Sequence, residues 1–113
     1  MSNTFTLGLI GQVIDTVRKD VDPRLEAQTL DMLIRIASQP GASQTVLSEQ
    51  VGITGAAISR SVEKLVKLGL VTRYEDPQDR RTKRSNLTAK GERVIGNIDK
   101  VVQKRLKSAG FTR

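Results

Sequence analysis

Nine residues, 76 to 84, read DPQDRRTKR and place Asp76 and Asp79 among Arg80, Arg81, Lys83 and Arg84. Guanidinium and ammonium groups in such density are donors for phosphate oxygens. A second group of donors lies some twenty residues earlier, in TGAAISRS, residues 54 to 61. There Thr54, Ser59 and Ser61 carry hydroxyls, and Arg60 is the one side chain able to make two parallel hydrogen bonds to a guanine edge. Gly55, Ala56 and Ala57 are small and let a backbone come close to a large partner. The 113 residues contain no histidine and no cysteine. The commonest general base, the commonest zinc ligand and any thiol nucleophile are therefore missing. With no clustered carboxylates and no glycine-rich phosphate loop, we expect no enzyme, no metal and no cofactor.

The charge distribution points the same way. The net charge is +7. Residues 1 to 59 carry four Lys/Arg against six Asp/Glu, and residues 60 to 113 carry fifteen against six. A basic half calls for a polyanionic partner, with nucleic acid the first candidate. No apolar run approaches the roughly 20 residues that a membrane span needs, and the N-terminus lacks the basic region of a signal peptide. The expectation is a cytoplasmic protein with no membrane partner.

These donors need elements to position them. Leu9, Ile10, Val13, Ile14, Val17 and Val21 recur at three- and four-residue steps, which predicts a helix ended by Asp22-Pro23. A second stripe, Leu30, Leu33, Ile34 and Ala37, stops at Pro40-Gly41. Ser43 is placed to cap a short helix bearing Val46, Leu47 and Val51, with Gly52 at its C-terminus. Thr54 is placed to cap the next, with Ile58, Val62, Leu65 and Val66 inward and Gly69 closing it. Two helices joined through VGIT, residues 51 to 54, form the helix-turn-helix pattern. Residues 70 to 75 and 84 to 88 then read as two strands, with the basic run as the hairpin tip. Thr88 starts a last helix with the stripe Val94, Ile95, Ile98, Val101, Val102 and Leu106. A helix-turn-helix followed at once by a basic hairpin is a winged helix: a mainly α fold with a small β-hairpin.

The stretch from Leu47 to Gly91, above all ISRSVEKLVKLGLV, DPQDRR and LTAKG in that order, resembles the DNA-binding core of the MarR/SlyA family of bacterial transcriptional regulators. The resemblance extends less specifically over residues 25 to 46. It implies one winged-helix domain over 1–113, with a core at about 25–91 and terminal helices at 5–22 and 89–107. In the family the terminal helices interlock into a two-fold dimer. Leu9, Ile10, Val13, Ile14 and Val17 with Val94, Ile95, Ile98, Val101, Val102 and Leu106 are the matching candidates. The family pattern also pairs the wing aspartate, here Asp79, with the arginine two residues on, here Arg81, and directs that arginine to the minor groove. Asp76, before Pro77, instead shapes the turn.

The expected function is a homodimeric, sequence-specific regulator, a repressor, on a palindromic double-stranded operator. The recognition helix enters the major groove by its N-terminal end and the wing enters the minor groove. Thr54, Gly55, Ala56, Ala57, Ser59, Arg60 and Ser61 form its reading end. Lys64 and Lys67 are phosphate contacts or solvated lysines, and Ser43 and Gln44 either touch the backbone or only cap the preceding helix. Arg80, Arg81, Lys83 and Arg84 serve the wing. Two other readings stay open: a plasmid or phage replication or partition protein, and a winged helix used for protein interaction. Phe5, Tyr74 and Phe111 are the whole aromatic complement, which argues against a small-molecule effector site.

Overall fold

Capping residues set the boundaries of the helices that matter. In the computed structural model, which describes residues 3–111, Ser43 and Thr54 both have extended backbone and both accept a hydrogen bond from the amide three residues on. They start α3 (Gln44–Val51) and α4 (Gly55–Lys67), which follow α1 (Asn3–Asp20) and α2 (Ala27–Ser38) and precede α5 (Ala89–Ser108). Gly52 ends α3 with φ +76, a left-handed conformation that costs glycine nothing. Ser48 Oγ donates to the Ile53 carbonyl at 2.5 Å and ties the turn to α3. At the end of α4, Gly69 N donates to Val66 O and Leu70 N to Leu65 O. With Gly69 at φ +75, this double closure stops the helix. It also engages the Leu70 amide, so β1 starts one residue later than the sequence pattern suggests, at Val71–Glu75.

β1 pairs antiparallel with β2 (Lys83–Leu87), in register from Val71↔Leu87 to Glu75↔Lys83. Residues 76–82 form the tip. Thr88 N donates to Leu70 O, its Oγ1 donates to Gly69 O, and that same oxygen accepts from Gly91 N. The exit from the hairpin is thereby stitched to the end of α4 as α5 begins. Gly91 is buried there, and a Cβ would run into the Leu70 carbonyl.

Within the span read as a single domain, two compact units are distinct: Glu26–Glu92, and the residues up to Leu25 with those from Arg93 on. The first of these holds its core in Met32, Leu33, Ile36, Leu47, Ile58, Val62, Leu65, Leu70 and Val71, all buried. Burying each such side chain stabilises by about 1.5–3 kcal/mol. The buried stripe of α2 is Thr29, Met32, Leu33 and Ile36, one step round from the stripe read in the sequence. Ile34 is exposed, as are Val46 and Val66. The apolar positions of these helices outnumber those the core takes up, and packing selects the phase.

The other unit contains α1 and most of α5. Arg105 Nη2 donates to the Phe5 carbonyl at 3.4 Å, and Asn97 Nδ2 donates to Asp20 Oδ2 at 3.2 Å. One helix start and one helix end meet at Phe5 and Arg105, so the two helices run antiparallel. The Arg105 guanidinium also lies 5.2 Å from the centre of the Phe5 ring, close enough for a cation–π contact. Val17, Val94 and Ile98 are buried, while Leu9, Val13, Ile95, Val101, Val102 and Leu106 are half-buried. Leu7, at 67% exposure, Ile10, at 51%, and Ile14 leave an apolar strip on α1. Their spacing of i, i+3 and i+7 puts them on one face. Leu7 belongs to this strip because α1 starts at Asn3, ahead of the stripe read in the sequence. No helix among the described residues is long and apolar enough to cross a membrane.

Candidate nucleic-acid interface

The start of α4 is exposed at Thr54, Gly55, Ala56 and Arg60, with Ala57 and Ser59 half-buried. Ser61 does not join them. It is buried and accepts a hydrogen bond from Gln28 Nε2 at 3.0 Å, so its hydroxyl serves α2 and not a ligand. A small polar residue carries no apolar signal by which the sequence could have given its direction. Ser43 is likewise buried, and its oxygen caps α3 by accepting from Val46 N at 3.2 Å.

Gln44 and its neighbour Thr45 open a cleft of about 420 Å³, with Ser48, Glu49, Gly55, Arg81 and Lys83 as its other walls. The starts of α3 and α4 and the outer part of the wing thus border one space. Backbone N–H groups at the start of α4 add donors and the positive end of the helix dipole. Glu49 is an acid on this surface that the sequence pattern does not single out.

The cations differ in what already holds them. Lys64 is hydrogen-bonded to Glu26, at the start of α2. That bond first, and the Lys64 charge second, hold the Glu26 carboxyl below its ordinary range. Lys67 is 3.9 Å from Glu63. Lys83 donates to Glu75 at 2.8 Å across the strand pair. Arg84 donates to Asp76 at 2.8 Å and to the Gly41 carbonyl at 2.9 Å. Among the described residues, Arg60, Arg73 and Arg80 form no ion pair.

Arg73 is a candidate site residue that the sequence pattern does not single out. Its Nη1 donates to Ser59 Oγ at 3.3 Å, which carries a cation from β1 onto α4. Strand alternation held the clue, since Arg73 shares a face with the buried Val71.

The wing acids have separate tasks. Asp79 Oδ1 accepts from the Arg81 amide at 3.1 Å and from Arg81 Nε at 3.4 Å, and Oδ2 accepts from Thr82 Oγ1 at 3.3 Å. The carboxylate therefore shapes the tip backbone and touches the Arg81 side chain, which remains 94% exposed. Asp76 Oδ1 accepts from the Gln78 amide at 2.8 Å. Its carboxyl is held below the ordinary range first by the Arg84 hydrogen bond and then by the Gln78 amide.

Comparison with known proteins gives a match to the MarR family over residues 22–82. Among solved structures, that of MarR is 24% identical, covering all of this chain and 80% of that one with a TM-score of 0.69. A mutant of Staphylococcus aureus MepR bound to an oligodeoxyribonucleotide is 17% identical, covering 97% and 79% with a TM-score of 0.79. Streptococcus pneumoniae FabT in complex with DNA is 22% identical, covering 94% and 73% with a TM-score of 0.73.

Proposed function

This chain belongs to the MarR family, and from that premise we propose that it is a transcriptional regulator that binds double-stranded DNA as a homodimer and represses by occupying a palindromic operator. The observation that carries the reading is the convergence of the starts of α3 and α4 with the wing around one cleft. An exposed helix start with small residues and one unpaired arginine suits a major groove. A basic hairpin beside it suits the adjoining minor groove, where narrow A·T-rich sequence concentrates negative potential. Thr54, Gly55, Ala56, Ala57, Ser59 and Arg60 are the reading end. Gln44, Thr45 and Arg73 contact phosphates, and Arg80 and Arg81 enter the minor groove. That MepR and FabT have been captured on DNA supports the same use of this fold. The strip Leu7, Ile10 and Ile14 supports a second copy as the partner of α1.

Footprinting on the genomic DNA around the protein's own gene tests the proposal. The expected result is one or two protected palindromes whose half-sites lie about 34 Å apart. Long arrays of repeats would point to replication or partition instead, and absence of protection would reject DNA binding.

The wing supplies a sharper test. Asp79→Asn keeps an acceptor for the Arg81 amide and Thr82 but loses the charge that faces the guanidinium. Electrostatics alone says that this change tightens binding by removing a negative charge. We expect weaker operator binding, by less than about 1 kcal/mol, because the pair is exposed and Arg81 must then be ordered on docking. In an Arg81→Ala background the effect disappears. Titration of all four proteins on operator and random duplex checks it, and a tighter-binding single mutant refutes the orienting role.

A further inference from the structure

Arg84 is the one wing cation with two directional hydrogen bonds to different segments of its unit. Nε reaches Asp76 Oδ2 at 2.8 Å, at the first residue of the tip, and Nη1 reaches the Gly41 carbonyl at 2.9 Å, in the turn between α2 and α3. Backbone contacts reinforce the same junction: Gly41 N donates to Ser85 O at 3.0 Å, and Ser43 and Arg84 form an antiparallel bridge. Gly41 has φ +77, a conformation that glycine adopts without strain. Ser43, two residues on, caps α3. A single guanidinium therefore joins the first residue of the wing tip to the peptide that leads into the helix-turn-helix. Asp76 is the most shielded acid in the wing's ion pairs, at 19% exposure. It also closes the tip, accepting from Gln78 N and donating its own amide to Thr82 O at 2.9 Å.

An isolated two-stranded hairpin is only marginally stable, so the direction of this one depends on its anchors to the rest of the unit. The planar, forked guanidinium fixes direction in a way that a point charge on a flexible stem does not. We infer that Arg84 is a positioning residue that contacts no DNA: by holding Asp76 and the Gly41 carbonyl together, it sets the angle of the wing relative to α3 and α4, so that both grooves are engaged at once. This inference rests on the DNA-binding reading above and adds a division of labour within the wing. Arg80 and Arg81 at the tip touch DNA, and Arg84, just behind the tip on β2, aims them.

The test probes the two grooves separately on the wild-type operator. Hydroxyl-radical cleavage reports the minor groove under the wing, and dimethyl sulfate reports guanine N7 in the major groove under α4. Arg84→Gln and Asp76→Asn are expected to lose the minor-groove protection while keeping the major-groove protection. Each lowers operator affinity roughly tenfold, and the double mutant is no worse than either single one, as for an interacting pair. Arg84→Lys, which keeps the charge but offers no fork, restores only part of the minor-groove protection. Circular dichroism identifies any variant that fails to fold, and Arg84→Lys then carries the comparison. Four results overturn the inference: full minor-groove protection in Arg84→Lys, unchanged protection in Arg84→Gln, protection retained by Asp76→Asn but lost in Arg84→Gln, or loss of both grooves together in folded protein. The third would make Arg84 a direct DNA contact. A wild-type protein that protects neither groove would instead reject the DNA-binding reading itself, and with it the clamp.

Discussion

An Ile10→Asp variant is expected to sediment as a folded monomer at a protein concentration where the wild type sediments as a dimer. Ile10 is half exposed on the strip with Leu7 and Ile14, so a carboxylate there meets water in the single chain and leaves the fold intact. In a dimer sealed along this strip, the same carboxylate would be buried without a partner. That costs about 3–5 kcal/mol, which weakens association by more than about a hundredfold. The choice of residue matters. Ile98 is central in the C-terminal stripe but is buried within the chain, so Ile98→Asp would disrupt the protomer and say nothing specific about dimerisation. Sedimentation velocity with circular dichroism decides the matter. A wild-type monomer at micromolar concentration, or an Ile10→Asp dimer, would remove the α1 strip from the interface.

Arg60→Ala is expected to weaken operator binding by about 1–3 kcal/mol, the value of a bidentate base contact, and to relax sequence preference at one position of each half-site. Arg60 is exposed about a turn and a half into α4 and forms no ion pair among the described residues. Its donors are thus available. Lys64, one turn further on, is engaged by Glu26, so Lys64→Ala should lower affinity for all sequences by a smaller, uniform amount. Competition binding with operator, single-base variants and random duplex separates the two. Equal losses on operator and random DNA for Arg60→Ala would make Arg60 a phosphate contact and leave base reading to other residues of α4.

Features legible in the sequence are those written within a few residues. Ser43, Thr54 and Thr88 as caps, and Gly52 and Gly69 as stops, depend on backbone geometry next to the residue itself, and each is found in that role. The order of helices and hairpin follows from them. What the sequence conceals depends on distant partners. Ser61 turns inward to a glutamine 33 residues away. Met32 and not Ile34 enters the core, a choice between two nearby apolar positions that only the packed neighbours make. Arg84 reads as one more wing cation, and only the Gly41 carbonyl, 43 residues earlier, sets it apart. A backbone acceptor has no identity in a sequence, because every residue carries one.

The acids interleaved with the bases have a consequence for ionic conditions. When a protein cation neutralises a DNA phosphate, a condensed counterion leaves, and log K falls by roughly 0.9 per decade of salt for each phosphate so neutralised. That rule applies in full to a cation that arrives unneutralised. Lys83, Arg81 and Lys64 each have a carboxylate in contact, Glu75, Asp79 and Glu26 respectively, so on the proposed interface their approach to DNA releases less than a full ion apiece, and Arg84, held by Asp76, releases none. On the proposed interface Arg60, Arg73 and Arg80, which form no ion pair among the described residues, are expected to carry the greater part of the salt response. A chain of net charge +7 is therefore expected to lose DNA affinity on addition of potassium or magnesium less steeply than its lysine and arginine content implies.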